Sequence, residues 1–354
     1  MKLKEFKDYL KKKRISFAIL FNTDSTRPDT NMFYFSQYRG IGALVIPAKS
    51  KPLLFVPEME YEKAKKSKLK VVKWAKKKRL FEFIKENLRK RKIKSTKIGI
   101  DKKAVTLMAH DELKRFFSGI KVDISTKCSE LRLIKTPEEI RIIKKSCRIA
   151  SKIISGLIKS IKSRKIKKES EAVGFLDYET RKAGCELSFE PIVASGIGAR
   201  EPHYVSKNTG LRKGFCVIDF GVRYKGYCSD ITRTVYIGKI SPKEKEIYEI
   251  ALKAQKNIIS QIKTGKRCSK LYEHAVKELG KYGKYFIHGL GHGIGIRIHE
   301  FPNLSPESKE IIKPGMTFTI EPGIYLKSFG IRIEDDILAK KNGIEVMTAV
   351  SKNY

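Results

Sequence analysis

"FCVIDFGVRYKGYCSDITRTVYIG", residues 215–238, decides the fold. Two apolar, β-branched runs flank the turn signal "YKG", the pattern of a β-hairpin. With Tyr224 and Lys225 at the centre of the turn, Asp219 and Asp230 are expected directly across the ladder from one another. Strands disfavour aspartate, and like charges opposed on a ladder repel. A cation between the two carboxylates removes both objections. "TFTIEPGIYLKSFGIRIEDDIL" (317–338) repeats the design, with Glu321 and Glu334 facing each other about a turn centred on Lys327 and Ser328. Asp219 and Glu321 stand 102 positions apart, and Asp230 and Glu334 stand 104 apart. Solvated acids on an edge strand have no reason to fall into register twice.

The repeat extends upstream. In "LRLIKTPEEIRIIKK" (131–145), Thr136 caps a helix, Pro137 takes its first position and Glu139 completes a capping box. "ISPKEKEIYEIALKAQKNIISQI" (240–262) does the same with Ser241, Pro242 and Glu244. Behind the first cap, Ile140, Ile143, Cys147, Ala150, Ile154, Leu157 and Ile161 recur at helical spacing with lysines opposite. The later part of the chain therefore reads as two related halves, each a capped helix, further helical sequence and an acidic hairpin. The front alternates strands (16–22, 42–48, 52–57, 71–75 and 97–101) with helices (80–92 and 106–119), an α/β pattern. No phosphate-cradling glycine loop follows any of these strands, so a nucleotide-binding reading has no support. The boundary falls near 125–135 and is drawn after residue 127.

A chain of 354 residues, 41% hydrophobic and 10% aromatic, has room for two packed cores. No apolar run reaches about 18 residues and the N-terminus lacks a signal-peptide pattern, so a cytoplasmic protein without a membrane partner is expected. The six cysteines are scattered without a C-x-x-C pair, which excludes a disulfide framework or zinc ribbon and fits reduced thiols. The net charge of +38 raises nucleic-acid binding, because cationic side chains release counterions from phosphates. The densest run, "AKKSKLKVVKWAKKKR" (64–79), even holds the single tryptophan. Yet the excess is spread along the chain, is mostly lysine and comes with no recognition motif. Solvated faces are the adopted reading. Nucleic-acid contact through the basic surface stays secondary to the main function.

"HGLGHGIGIRIHE" (288–300) holds three of the six histidines and four glycines. Four carboxylates exceed the need of one catalytic ion and suit two divalent ions about 3.5 Å apart. Such a site wants a neutral ligand, which an imidazole supplies, while glycines let backbone and substrate approach. His110 and His274 lie outside any such setting and receive no role.

At these residues the chain resembles the aminopeptidase P/prolidase/methionine aminopeptidase family of metallopeptidases with their pita-bread fold. "HGLGHGIGIRIHE" is similar to that family's histidine signature, and Asp219, Asp230, His292, Glu321 and Glu334 match its five metal ligands in order and approximate spacing. "LRLIKTPEEI" resembles the prolidase lead-in to the catalytic domain. Residues 31–66 are similar to the N-terminal domain of prolidases and aminopeptidases P, which methionine aminopeptidases lack. The resemblance implies a creatinase-like N-terminal α/β domain over 1–127, then a pita-bread catalytic domain of duplicated αα-β-hairpin units over 128–354.

The resemblance also implies roles. Asp219 would bind one metal, Asp230 and Glu334 would bridge both, and His292 with Glu321 would complete the second site. Glu321 would in addition orient the nucleophile and receive its proton. His203, in "GAREPHY", matches a histidine lining the substrate pocket; His299 matches the one bonding the scissile amide, and His288 a third near the metals. Arg332 matches the arginine standing behind the ligands in proline-specific members. The implied reaction is hydrolysis of the Xaa-Pro bond at the N-terminus of peptides by a hydroxide bridging two metals. Oxygen-rich ligation favours Mn, Co or Fe, with Zn also open.

One departure concerns substrate length. Many prolidases place an arginine shortly after the "HE" of the signature to grip a dipeptide's carboxylate; here Asn303 stands there, and Arg297 is the nearest substitute. Dipeptidase and longer-peptide aminopeptidase both stay open. Two further readings are carried: a non-catalytic module of this fold binding proteins or nucleic acid, and a methionine aminopeptidase. Similar enzymes are commonly homodimers, and this sequence carries no interface signal.

Overall fold

The computed structural model describes residues 2–23, 29–74 and 78–354. The chain divides into two compact units, Met1–Leu131 and Arg132–Tyr354. In the first, α1 (Lys2–Lys12), β1 (Phe17–Asn22), α2 (Thr30–Ser36), β2 (Gly42–Pro47) and β3 (Leu53–Pro57) come first. Then follow α3 (Tyr61–Ala64), β4 (Lys70–Trp74), α4 (Leu80–Lys90), β5 (Lys97–Ile100), α5 (Leu107–Phe116), β6 (Ile120–Asp123) and α6 (Ser125–Leu133). The strands form one mixed sheet in the order β4-β3-β2-β1-β5-β6. Every residue of β2 is buried, which is why this strand reads as an unbroken apolar run instead of an alternating one. α4 buries Leu80, Phe81, Ile84 and Leu88 as one stripe against Phe17, Val45 and Phe55 of the sheet.

Each expected strand of this unit has a counterpart. That at 71–75 falls on β4, although its last residue, Ala75, lies outside the described residues, as do positions 76–77 of the basic run. The helix expected to run to 119 stops at Phe116, and β6 follows as an edge strand. Its residues are exposed or half-buried, so it carries no apolar alternation. α1, which buries only Phe6 and Leu10 within a charged sequence, and α2 are additions to the expected pattern.

The second unit is a duplication. Its first half comprises α7 (Pro137–Lys162), α8 (Glu169–Lys182), β7 (Glu186–Leu187), β8 (Ile192–Ser195), β9 (Gly214–Phe220), β10 (Val222–Tyr224), β11 (Tyr227–Cys228) and β12 (Ile231–Ile237). The second half opens with α9 (Pro242–Gln261), α10 (Cys268–Glu278), β13 (Gly291–Gly293) and β14 (Glu300–Leu304). It closes with β15 (Thr317–Ile320), β16 (Gly323–Tyr325), β17 (Gly330–Arg332), β18 (Asp335–Ala339) and β19 (Ile344–Val346). β12-β9-β8 in one half matches β18-β15-β13 in the other, all antiparallel. Both expected capping boxes form, Thr136 with Glu139 and Ser241 with Glu244. Each helix pair covers its own half-sheet: Ile154, Leu157 and Leu176 pack with Ile218 and Ile231, while Ala251, Ile258 and Leu271 pack with Phe318 and Ile337.

The first hairpin corrects the expected register. Asp219 lies across from Thr232, two residues beyond Asp230, and Tyr224 pairs with Tyr227. The turn is centred on Lys225 (φ 47°) and Gly226 (φ 84°), both left-handed as a type I′ turn demands. Asp230 therefore sits where the ladder is interrupted between β11 and β12. The second hairpin keeps the expected register, with Ile320 across from Asp335 and Gly323 across from Arg332. Glu321 and Glu334 face each other at the interruption between these two ladder segments.

Candidate metal centre

The interruptions explain how Asp230, Glu321 and Glu334 converge, while Asp219 sits within the β9 ladder. Backbone groups released from one ladder bond elsewhere: Glu334 N donates to Thr232 O at 3.1 Å, Asp230 N to Asp336 Oδ2 at 2.9 Å, and Glu321 N to Leu290 O at 2.9 Å. The first two of these bonds stitch the half-sheets together. Thr232 is the hub, since its hydroxyl also donates to Glu334 Oε2 at 2.6 Å while its ladder partner is Asp219. β13 delivers His292, whose Nε2 lies 3.4 Å from Glu321 Oε1 and 3.6 Å from Asp230 Oδ2. Ligand atoms of Asp230, His292 and Glu334 all fall within 4.8 Å of one another. The glycines flanking His292 are required: a Cβ on Gly291 would lie 2.0 Å from Thr319 O, and one on Gly293 2.1 Å from Phe301 O. Lys135 Nζ, 2.9 Å from Glu300 Oε1, anchors the end of the signature in the interior.

All ten expected site positions reduce to nine side chains, and all nine line one cavity of about 650 Å³. Asp219 lies outside the compact group of Asp230, His292 and Glu334, and Arg332 Nη2 donates to its Oδ2 at 2.8 Å. Arg332 also donates to Thr232 Oγ1, the Tyr325 hydroxyl and Pro202 O, the last at 3.3 Å and next to His203. His288 Nδ1 lies 2.8 Å from Gly289 O, which assigns its proton there and leaves Nε2 to accept from Tyr325 at 3.0 Å. The His299 ring stands edge-on to His292 with centroids 4.1 Å apart. His203 and His299 are both exposed to the cavity. Arg297 is exposed and does not line it.

The electrostatics describe a cluster short of positive charge. Burial, then repulsion from Glu334 and Asp219, holds the Asp230 carboxyl well above the usual range. Burial and Glu321 do the same to Glu334, and burial lifts Glu321 to about 7 against the pull of Arg332. Burial, with His299 nearby, pushes His292 down to about 3, so its ring is neutral and free to donate a lone pair. Asp219 Oδ1 and Asp230 Oδ1 are buried without a hydrogen-bond partner. An oxygen-rich set with one imidazole, orphaned oxygens and mutual repulsion fits divalent cations. The six cysteines are free and buried, and none belongs to this set.

Several contributors escaped the sequence reading. Tyr325 and Thr232 link the ligands, and Asp336 braces Asp230 while accepting from Cys147 Sγ at 3.2 Å. Glu169 is 1% exposed and its carboxylate gathers Ser195 N and Oγ, the Tyr204 hydroxyl and Lys207 N at 2.7–3.1 Å. It thereby clamps the loop that carries His203. Its sequence signal, an acid in the first turn of α8, is indistinguishable from an ordinary helix-dipole acid.

A duplicated helix-and-hairpin fold around buried carboxylates and one imidazole defines a metallohydrolase of the pita-bread type. The chain belongs to metallopeptidase family M24, whose description matches residues 141–341, and residues 2–134 match the Creatinase/Prolidase N-terminal domain. It is 38% identical over 332 residues to an Xaa-Pro dipeptidase of Pyrococcus furiosus, covering 91% of this chain and 92% of that one. The prolidase structure from Pyrococcus horikoshii superposes with a TM-score of 0.89 at 34% identity, over 99% of both chains. An X-Pro aminopeptidase structure from Thermotoga maritima gives 0.88 at 30% identity, over 96% of this chain and 97% of that one. Among the described residues no helix is long and apolar enough to cross a membrane.

Proposed function

We propose that this protein is a metal-dependent peptidase that hydrolyses the bond between an N-terminal residue and proline. The observation carrying the proposal is the meeting of Asp230, His292, Glu321 and Glu334 at one end of a cavity that His203 and His299 also line. Asp219, Asp230, His292, Glu321 and Glu334 are the residues that would hold two divalent ions, with Mn, Co or Fe favoured and Zn compatible with the same donors. Such ions supply Lewis acidity and a water that ionises near neutral pH.

The chain's own groups do the rest. Glu321, beside His292 at the ligand cluster and lining the cavity, can take a proton from the attacking water and return it to the leaving nitrogen. His203 and His299, open to the cavity, position the scissile amide and stabilise charge on its oxygen. Arg332 orients Asp219 and, through Tyr325, His288. A cytoplasmic setting is supported by the six cysteines, which are free and buried.

Substrate length turns on Asn303, which is exposed and sits across the ladder from His292. Among the described residues no lysine lines the cavity, and the one arginine that does, Arg332, is committed to four acceptors. A dipeptide's carboxylate would meet no free guanidinium, so peptides continuing beyond proline are substrates at least as good as dipeptides. The test is a metal-supplemented assay of Xaa-Pro dipeptides beside Xaa-Pro-Yaa tripeptides. Cleavage of tripeptides with equal or higher kcat/KM is expected; hydrolysis of neither class would refute the proposal.

A further inference from the structure

Part of the cavity lining has no role in the chemistry above. Phe189, Glu190 and Ile192 line it from the segment entering β8, and Ile298 lines it from the histidine signature. Ile192 lies across the ladder from Asp219, so this apolar surface begins beside the carboxylates. Glu190 precedes Pro191, which forces it into extended backbone. In extended chain, residues two apart project to the same side, about 7 Å from one another. Glu190 thus extends the Ile192 side of the wall one step outward from Asp219.

Glu190 differs from every other acid in the cavity. The remaining four are the candidate metal ligands, all largely buried. Glu190 is exposed and makes no ion pair or side-chain hydrogen bond among the described residues, in a chain with 76 lysines and arginines to 38 acids. An apolar strip ending in an open carboxylate is the complement of a side chain with an aliphatic stem and a cationic head. The rim position matters, because a head group left partly in water costs little desolvation.

Resting on the Xaa-Pro reading, we propose that Phe189, Glu190 and Ile192 form a subsite that selects lysine or arginine before proline. The stem lies along Ile192, with Phe189 lining the same cavity from the bend that precedes Glu190, and the cationic head meets the Glu190 carboxylate. The substrate's own α-ammonium is a poorer match. It is attached next to the scissile carbonyl and stays beside the ligand cluster, whereas a lysine head reaches about 6 Å further out.

The test compares kcat/KM for Lys-Pro-Ala, norleucine-Pro-Ala and Glu-Pro-Ala peptides, with wild type and Glu190→Gln, in the metal-loaded protein. Norleucine keeps the stem and lacks the head. Wild type should prefer lysine over norleucine about fivefold, the scale of a solvent-accessible ion pair, and should disfavour glutamate. Glu190→Gln should erase that preference and leave norleucine turnover unchanged, and 1 M salt should shrink it in wild type. Equal loss on lysine and norleucine peptides would place Glu190 on the α-ammonium and overturn the subsite. Equal wild-type rates on lysine and norleucine peptides would overturn the subsite alone, leaving the peptidase reading intact. Failure to cleave any of the three would instead overturn the Xaa-Pro reading and the subsite with it.

Discussion

The two halves of the second unit share a backbone plan and divide the work. In the first, β8 presents Ile192 opposite Asp219; in the second, the equivalent β13 presents His292 between two glycines. The first half contributes short acids, Asp219 and Asp230, together with Phe189 and Ile192 of the apolar lining and the His203 loop. The second contributes longer acids, Glu321 and Glu334, and the three signature histidines. The second helix of each half also opens differently: Glu169 opens α8 and clamps the His203 loop, whereas α10 opens with Cys268 and Ser269. Duplication supplied the frame; both halves contribute carboxylates, and side chains at matching strand positions differ, Ile192 in one half and His292 in the other.

The strongest way to break this division is to remove one acid from each half. Asp230→Ala and Glu334→Ala should each lower kcat/KM by about 10³-fold or more and reduce bound metal, since the ligands act as a unit. Full activity in either variant at added metal would mean that the carboxylate removed is not a ligand. Metal analysis beside the assay separates the two effects.

Smaller effects should distinguish the halves. His203→Ala is expected to lose about 10²-fold in kcat with metal content unchanged, the range for a positioned acid–base group. His292→Ala should instead lose metal. Parallel loss of metal in both variants would contradict a substrate-facing role for His203.

The finest probe is the clamp. Glu169→Gln keeps the shape of the side chain but removes the charge that Ser195, Tyr204 and Lys207 address. A loss of about tenfold in kcat is expected, within the 0.5–3 kcal/mol couplings typical of contacting networks. Because Glu169 acts through the His203 loop, the double variant Glu169→Gln/His203→Ala should be no slower than His203→Ala. Independent, multiplying losses would show that Glu169 only supports the fold.

Much of this architecture is legible in the sequence. Capping boxes at Thr136 and Ser241 are local chemistry, written within four residues, and both form. The acidic hairpins and the glycine-flanked His292 are likewise short-range patterns. The register of the first hairpin was misjudged because the left-handed backbone at Lys225 and Gly226 moves the turn centre by one residue. That shift reassigns the partner of Asp219 from Asp230 to Thr232. β6 and α1 were missed for another reason: an exposed edge strand and a helix with two buried residues carry little periodicity.

The sequence by itself determined the elements, their caps, the duplication and the residue types able to bind cations, because each depends on neighbours close along the chain. Tertiary structure alone decided that Thr232 joins Asp219 to Glu334, that Arg332 reaches Asp219 from 113 positions away, and that Glu169 holds the His203 loop. Those choices follow from which backbone groups the interrupted ladders leave unpaired. In a buried interior every such group must find a partner, and where it finds one depends on the packing of both halves at once.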